Sequence, residues 1–167
     1  MGVTGLNHAV LFVSDVRRSV EFYRAALGME VVDDLGQAAF LRLPESGNHH
    51  DLGLFSAGPT GEPGAGPTAQ GRPAGPGLYH LAWEVDAFDT LVERRAALLE
   101  LGALVGESDH GVSLSLYAQD PDGIEFEVLW SLPKEAWGEF AEQATTRRLD
   151  WAGATRTWGG ATEPAPT

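Results

Sequence analysis

Two histidines recur in matching surroundings, Gly5-Leu6-Asn7-His8-Ala9-Val10 and Gly77-Leu78-Tyr79-His80-Leu81-Ala82, each opening an apolar run that ends near an acidic residue, Asp15 or Asp86. A single histidine at the head of an apolar strand is usually a hydrogen-bonded part of the core. A pair in equivalent places of a motif used twice can face one another across a shared cavity, and imidazole nitrogens that meet in this way are metal donors. A carboxylate joins them from Asp120-Pro121-Asp122-Gly123-Ile124-Glu125-Phe126-Glu127-Val128. If Phe126 packs outward on a strand, Glu127 projects inward, toward the histidines. His8, His80 and Glu127 are therefore the candidate metal ligands. Two imidazoles and one carboxylate leave up to three positions open on a six-coordinate ion, the arrangement of a non-haem iron(II) centre, and open positions imply chemistry rather than scaffolding. With no cysteine in the chain, any metal rests on nitrogen and oxygen donors, which suit iron(II), with manganese(II), zinc(II) or nickel(II) as alternatives.

Positioning these groups calls for a repeated unit. Leu6 to Val13 reads as a strand, and Asp15 is a good N-cap for a helix over 16–27, whose Val16, Val20, Tyr23 and Leu27 recur at helical spacing before Gly28 stops it. Three short strands follow, at 29–32, 38–43 and 51–55, separated by turn-forming clusters. The second half repeats the order: a strand over 78–85, a helix from about 89 to 101 stopped by Gly102, then strands near 103–105, 113–117 and 124–130. The expected fold is α+β, two βαβββ modules pairing into a cupped mixed sheet with a C-terminal helix.

The expected boundaries are one domain over residues 1–130, with module 1 at 3–57, a Gly/Pro linker at 58–77 and module 2 at 78–130, followed by a C-terminal helix and tail over 131–167. The linker holds seven glycines and five prolines, too many breakers for regular structure, and reads as a spacer. Beyond Trp130, a helical stretch is expected from Pro133 to about Arg148. Its Ala136, Trp137 and Phe140 would dock it on the domain or on a second subunit, with a ragged end from Ala152.

The 167 residues, 43% of them hydrophobic, are enough for one domain with a real core. The formal charge of -13 disfavours nucleic acid and anionic membranes as partners. No apolar run approaches the ~20 residues of a membrane span, and the start MGVTGLNH lacks the layout of a signal peptide, so a cytoplasmic protein is expected.

On Leu6-Asn7-His8, Ser19-Val20-Glu21-Phe22-Tyr23 with Leu27-Gly28, Leu78-Tyr79-His80-Leu81-Ala82, and Asp120-Pro121-Asp122-Gly123 with Glu127, the chain resembles the vicinal oxygen chelate superfamily over residues 3–130. That group includes glyoxalases, bleomycin- and fosfomycin-resistance proteins and extradiol dioxygenases. The stretch Asn48-His49-His50-Asp51-Leu52-Gly53-Leu54-Phe55 is similar to a strand of the extradiol enzymes, above all the small single-domain catechol 2,3-dioxygenase-like proteins. The resemblance implies that His50 is the acid–base residue. It likewise implies that His110, in Asp109-His110-Gly111-Val112-Ser113, and Tyr117 hydrogen-bond the substrate oxygen. The His110-to-Tyr117 spacing is shorter than in the larger two-domain enzymes and similar to that of the small ones.

The activity so implied is iron(II)-dependent extradiol cleavage, in which a small aromatic diol of the catechol type reacts with O2 and its ring opens beside the hydroxyls. A homodimer is one assembly that it allows. Glyoxalase-like isomerases carry a fourth ligand on the last strand of the first module, where this chain has Gly53, or Asp51 if the register slips by two. A metal-dependent isomerase or transferase is thus one alternative, and a metal-free bleomycin-resistance-type drug-binding protein another. The complete ligand set argues against the latter, because burying unliganded imidazole and carboxylate costs desolvation energy.

Overall fold

The computed structural model describes residues 2, 3, 5–58 and 77–160, so the reading of the Gly/Pro linker as a spacer lies almost wholly outside the described residues. In chain order the elements are β1 (Ala9–Val13), α1 (Val16–Leu27), β2 (Glu30–Asp34), β3 (Ala38–Arg42), β4 (Leu52–Ser56), β5 (Leu81–Glu84), α2 (Phe88–Glu100), β6 (Leu104–Asp109), β7 (Ser113–Gln119), β8 (Glu125–Ser131) and α3 (Trp151–Trp158). They fall into two compact units, Met1–Pro76 with Asp120–Ile124, and Gly77–Gln119 with Glu125–Thr167. Each unit carries a four-stranded mixed sheet, in the orders β1-β4-β3-β2 and β5-β8-β7-β6. In both, the first pair is parallel and the rest antiparallel. The α+β class and the twofold use of βαβββ are as the sequence implies. Among the described residues, no helix is long and apolar enough to cross a membrane.

In the first unit, α1 begins where its chemistry says it should. The Asp15 side chain accepts from the Arg18 N–H at 3.0 Å, and Gly28, at φ 74°, takes the left-handed turn that ends the helix. Its buried Val16, Val20, Tyr23 and Leu27 pack toward β3 and β4, whose Leu41, Leu52 and Leu54 are fully buried. Alternation on β1 buries Leu11 and Val13 and leaves Phe12 72% exposed on the other face.

The Asp-Pro-Asp-Gly turn belongs to this unit and does more than reverse the chain. Buried Asp120 accepts from the Tyr23 hydroxyl at 3.1 Å and from the N–H groups of Asp122 and Ile124 at 2.9 and 2.8 Å. Asp122 accepts from the Ser14 N–H and hydroxyl and pairs with Arg18 at 2.8 Å. Burial pushes both the Tyr23 phenol and the Asp120 carboxyl upward. Asp120→Ala removes the shared acceptor of three donors at once and is expected to cost about 2–4 kcal/mol, read as a lower urea midpoint at unchanged m.

In the second unit, α2 packs through Phe88, Leu91 and Leu98 toward β8, where Phe126 and Val128 are buried. Strand β6 is longer than its composition implies. Pairing with β7 draws Gly106-Glu107-Ser108-Asp109 into the ladder past a bulge, and Arg95 bonds the Glu107 carboxylate.

The helix expected from Pro133 to about Arg148 does not form there. Two 3-10 turns, Lys134–Ala136 and Gly138–Ala141, lead instead to an irregular stretch in which Arg147 pairs with Asp109. Gly138 sits at φ 52°, outside helical space, and the Trp137 indole N–H donates to the Leu132 carbonyl at 2.8 Å. Local breaking and side-chain capture outweigh the apolar spacing. The C-terminal helix is α3, inside the stretch expected to be ragged. Its Trp158 meets Trp130 at 5.5 Å, Trp151 meets Phe88 at 6.2 Å, and the Arg95 guanidinium lies over the Trp151 ring. It docks on its own unit.

Candidate active site

The second unit gathers four of the predicted residues. Glu127 is paired with Tyr117 on β7 and with Ala82 on β5, and Tyr117 with Gly106 on β6, so these residues form one row on the sheet face opposite Phe126 and Val128. Glu127 is only 7% exposed. His80, one residue before β5, brings its Nε2 to 3.1 Å from a Glu127 carboxylate oxygen. Two donors each about 2.1 Å from one ion and at right angles to it stand about 3 Å apart, so the pair has the spacing of neighbouring ligands. Buried carboxylate beside imidazole nitrogen is the donor chemistry that a divalent cation satisfies. His80 Nδ1 is buried without a hydrogen-bond partner among the described residues.

Next in the row, Tyr117 places its hydroxyl 2.9 Å from His110 Nε2, while His110 Nδ1 lies 3.0 Å from the Thr145 carbonyl. A carbonyl can only accept, so Nδ1 carries a hydrogen. Both nitrogens of His110 are thus engaged. Burial first, then the charge of Glu127, pushes the Tyr117 phenol up to about 12, so at neutral pH it is a donor and not a phenolate.

His110 also walls a cavity of about 440 Å³ lined further by Val112, Trp137 and Phe140. Gly111 holds that wall together. At φ 77° it takes a turn other residues resist, and a Cβ there would fall 2.4 Å from the Phe140 ring. Gly111→Ala is expected to cost about 2–4 kcal/mol through strain and overpacking. Loosening of the 132–147 segment would show as a lower Tm and a shifted tryptophan emission.

In the first unit, His8 precedes β1 and its ring meets that of His50 at 4.6 Å, while His50 packs edge-on against Phe40 at 5.1 Å. His50 Nδ1 is 3.1 Å from His49 Nδ1. Burial, then the neighbouring imidazoles His8 and His49, hold His50 below the usual histidine range.

Strand register settles which first-module position answers to Glu127. Ala82, two residues after His80, pairs with Glu127; Val10, two residues after His8, pairs with Gly53. Asp51 has a different task. It is buried, and its carboxylate accepts from the Leu43 N–H at 2.7 Å, the Ser46 hydroxyl at 2.8 Å and the Asn48 amide at 2.7 Å. The first module therefore brings His8 and His50 together, with Asp51 engaged by its own turn.

The three predicted ligands divide between the units, His8 in the first and His80 with Glu127 in the second. Among the described residues, no group of three or more histidine, aspartate and glutamate side chains is gathered tightly enough to hold a metal ion. Thr145 was not legible as a site residue, because nothing local marks a carbonyl as the partner of a ring far away in sequence. Asn7 and Asn48 stand inside the histidine motifs, yet spacing alone does not say where an amide points.

Two βαβββ modules, each headed by a histidine, define the fold class. A family model described as the Glyoxalase/Bleomycin resistance protein/Dioxygenase superfamily matches residues 5–128, and the chain belongs to that superfamily. It is 30% identical over 136 residues to a catechol-2,3-dioxygenase of Bacillus subtilis (strain 168), covering 80% of this chain and 44% of the relative. It is 33% identical over 124 residues to biphenyl-2,3-diol 1,2-dioxygenase 3 of Rhodococcus globerulus, covering 74% of this chain and 61% of the relative. The chain thus spans roughly half the length of these relatives. Among solved structures, a glyoxylase/bleomycin resistance protein/dioxygenase domain from Frankia sp. EAN1pec superposes with a TM-score of 0.63 at 21% identity, over 80% of this chain and 96% of that one, which shows the shared fold.

Proposed function

We propose that the chain is an iron(II)-dependent extradiol dioxygenase that opens a catechol-type aromatic with O2, and that His8, His80 and Glu127 hold the metal. The observation that carries this reading is the buried Glu127 carboxylate 3.1 Å from His80 Nε2, in one row with a protonated tyrosine. Similarity to relatives named as catechol and biphenyldiol dioxygenases supports it. Ferrous iron, when bound, would supply Lewis acidity and electron exchange with dioxygen.

The protein's own groups do the rest. His50, its ring tilted against that of His8, takes a proton from the diol and returns it as the ring opens. Tyr117 donates its hydroxyl hydrogen to a substrate oxygen that gains charge, and His110, bound to Tyr117 and to the Thr145 carbonyl, sets where that hydroxyl points. His110 is then a positioning residue. Tyr117→Phe is expected to lower kcat by about 100-fold while metal affinity stays unchanged, since the phenol is not a ligand.

The same geometry weighs against a four-ligand isomerase, because Gly53 stands where the extra carboxylate would be. Anaerobic loading with Fe(II), followed by catechol, substituted catechols and biphenyl-2,3-diol in air, tests the proposal. Oxygen uptake with a yellow ring-opened product is expected. No uptake with any of these diols would refute it.

A further inference from the structure

A chain of side-chain amides runs from a buried carboxylate to the His8 ring, and we propose that this chain, Asp51–Asn48–Asn7, holds the His8 proton on Nδ1 and so keeps Nε2 as a lone-pair donor for a metal ion. The inference rests on the reading of His8 as a ligand and adds the residues that prepare it.

The amide orientations follow from groups that have no choice. Asn48 Nδ2 lies 2.7 Å from an Asp51 carboxylate oxygen and 3.1 Å from the Asn7 backbone carbonyl. A backbone carbonyl can only accept, and an ionised carboxylate likewise, so that end of the Asn48 side chain is its NH2. The other end, Oδ1, is an acceptor, and 3.1 Å from it stands the Asn7 side chain, which must therefore present its own NH2. Asn7 Oδ1 is then turned toward His8 Nδ1 at 2.9 Å. An acceptor there demands a hydrogen on Nδ1. Neutral imidazole carries one such hydrogen, so Nε2 is left with a lone pair.

The far end of the chain is rigid. Asp51 is 5% exposed and is also bonded by the Leu43 N–H and the Ser46 hydroxyl, and Ser46 in turn accepts from the Asn48 N–H. The whole 43–51 turn thus acts as a bracket on one ring nitrogen of a residue far away in sequence. Metal-binding histidines usually have their other nitrogen held this way, and losing that partner weakens binding about 10–100-fold. His80 differs, its Nδ1 having no hydrogen-bond partner among the described residues. The two histidines of the repeat are thus prepared unequally.

Heteronuclear NMR of the His8 ring nitrogens, in the metal-free protein at a pH where the ring is neutral, reads the proton directly. The expected result is Nδ1–H in the unsubstituted chain and Nε2–H as the main form in Asn7→Leu. Asn7 is exposed, so the change does not threaten the core. Zinc or manganese titration should show about 10–100-fold weaker binding for Asn7→Leu. The change of tautomer is the readout that a merely structural role would not produce. A proton on Nε2 in the unsubstituted chain, or an unchanged tautomer in Asn7→Leu, overturns the inference whatever the metal does. A proton on Nδ1 together with undiminished metal affinity in His8→Ala overturns instead the reading of His8 as a ligand.

Discussion

Replacing His80 with alanine is expected to weaken divalent-metal binding by on the order of 100-fold or more. Disturbing only the partner of a ligating histidine costs about 10–100-fold, and removing a ligand outright costs at least the upper end of that range. The effect is large because His80 and Glu127 are one unit. Their 3.1 Å separation suits two donors on one ion, and without the imidazole the buried carboxylate must hold a cation with one neighbour fewer. Glu127→Gln is expected to do the same by removing the charge while keeping the shape. Competition with a chromophoric chelator measures both. Binding by either variant as tight as that of the unsubstituted chain would remove the pair from the metal site.

The second large effect falls on His50. His50→Ala is expected to keep metal affinity while kcat drops about 10²–10⁴-fold, the range by which a positioned acid–base group accelerates proton transfer. The two imidazoles at His8 and His50 lie only 4.6 Å apart by ring centroids, so position alone does not assign their roles. Metal titration and turnover measured on the same preparation separate them. Equal metal loss in His50→Ala and His80→Ala would make His50 a ligand. Partial rescue of turnover by added imidazole would mark it as the proton carrier.

The parts of this fold that were legible in the sequence are those decided by neighbours a few residues away. Helix α1 runs over the expected residues because Asp15 caps it and Gly28 ends it, and both acts are local. The doubled motif also carried real information about register. Residues two past each histidine pair with Gly53 and Glu127, and this pairing decides between Gly53 and Asp51, which the sequence left open. What was not legible depends on distant partners. Strand β6 extends through polar Glu107-Ser108-Asp109 because β7 and Arg147 accept it. The segment after Pro133 abandons its helical spacing because Phe140 settles on Gly111 and Trp137 bonds Leu132.

The candidate site follows the same division. Residue types and spacing singled out His8, His80 and Glu127, and the family resemblance added His50, His110 and Tyr117. The hydrogen-bond partners that decide tautomer and direction, Thr145 for His110 and Asn7 with Asn48 for His8, come from pairings that only the folded backbone makes. His110 changes most as a result. With Nδ1–H spent on a carbonyl and Nε2 bonded to the Tyr117 hydroxyl, its place is to orient the tyrosine, and in the proposed reading the phenol meets the substrate.

The most direct test of the dioxygenase reading is where the oxygen atoms go. Chain loaded anaerobically with Fe(II) and then given catechol under isotopically heavy dioxygen is expected to yield a ring-opened product in which both atoms of one O2 molecule are found by mass spectrometry, with the ring broken beside the hydroxyls. Product free of heavy oxygen, or a diol recovered intact after the metal is shown to be bound, would contradict the account.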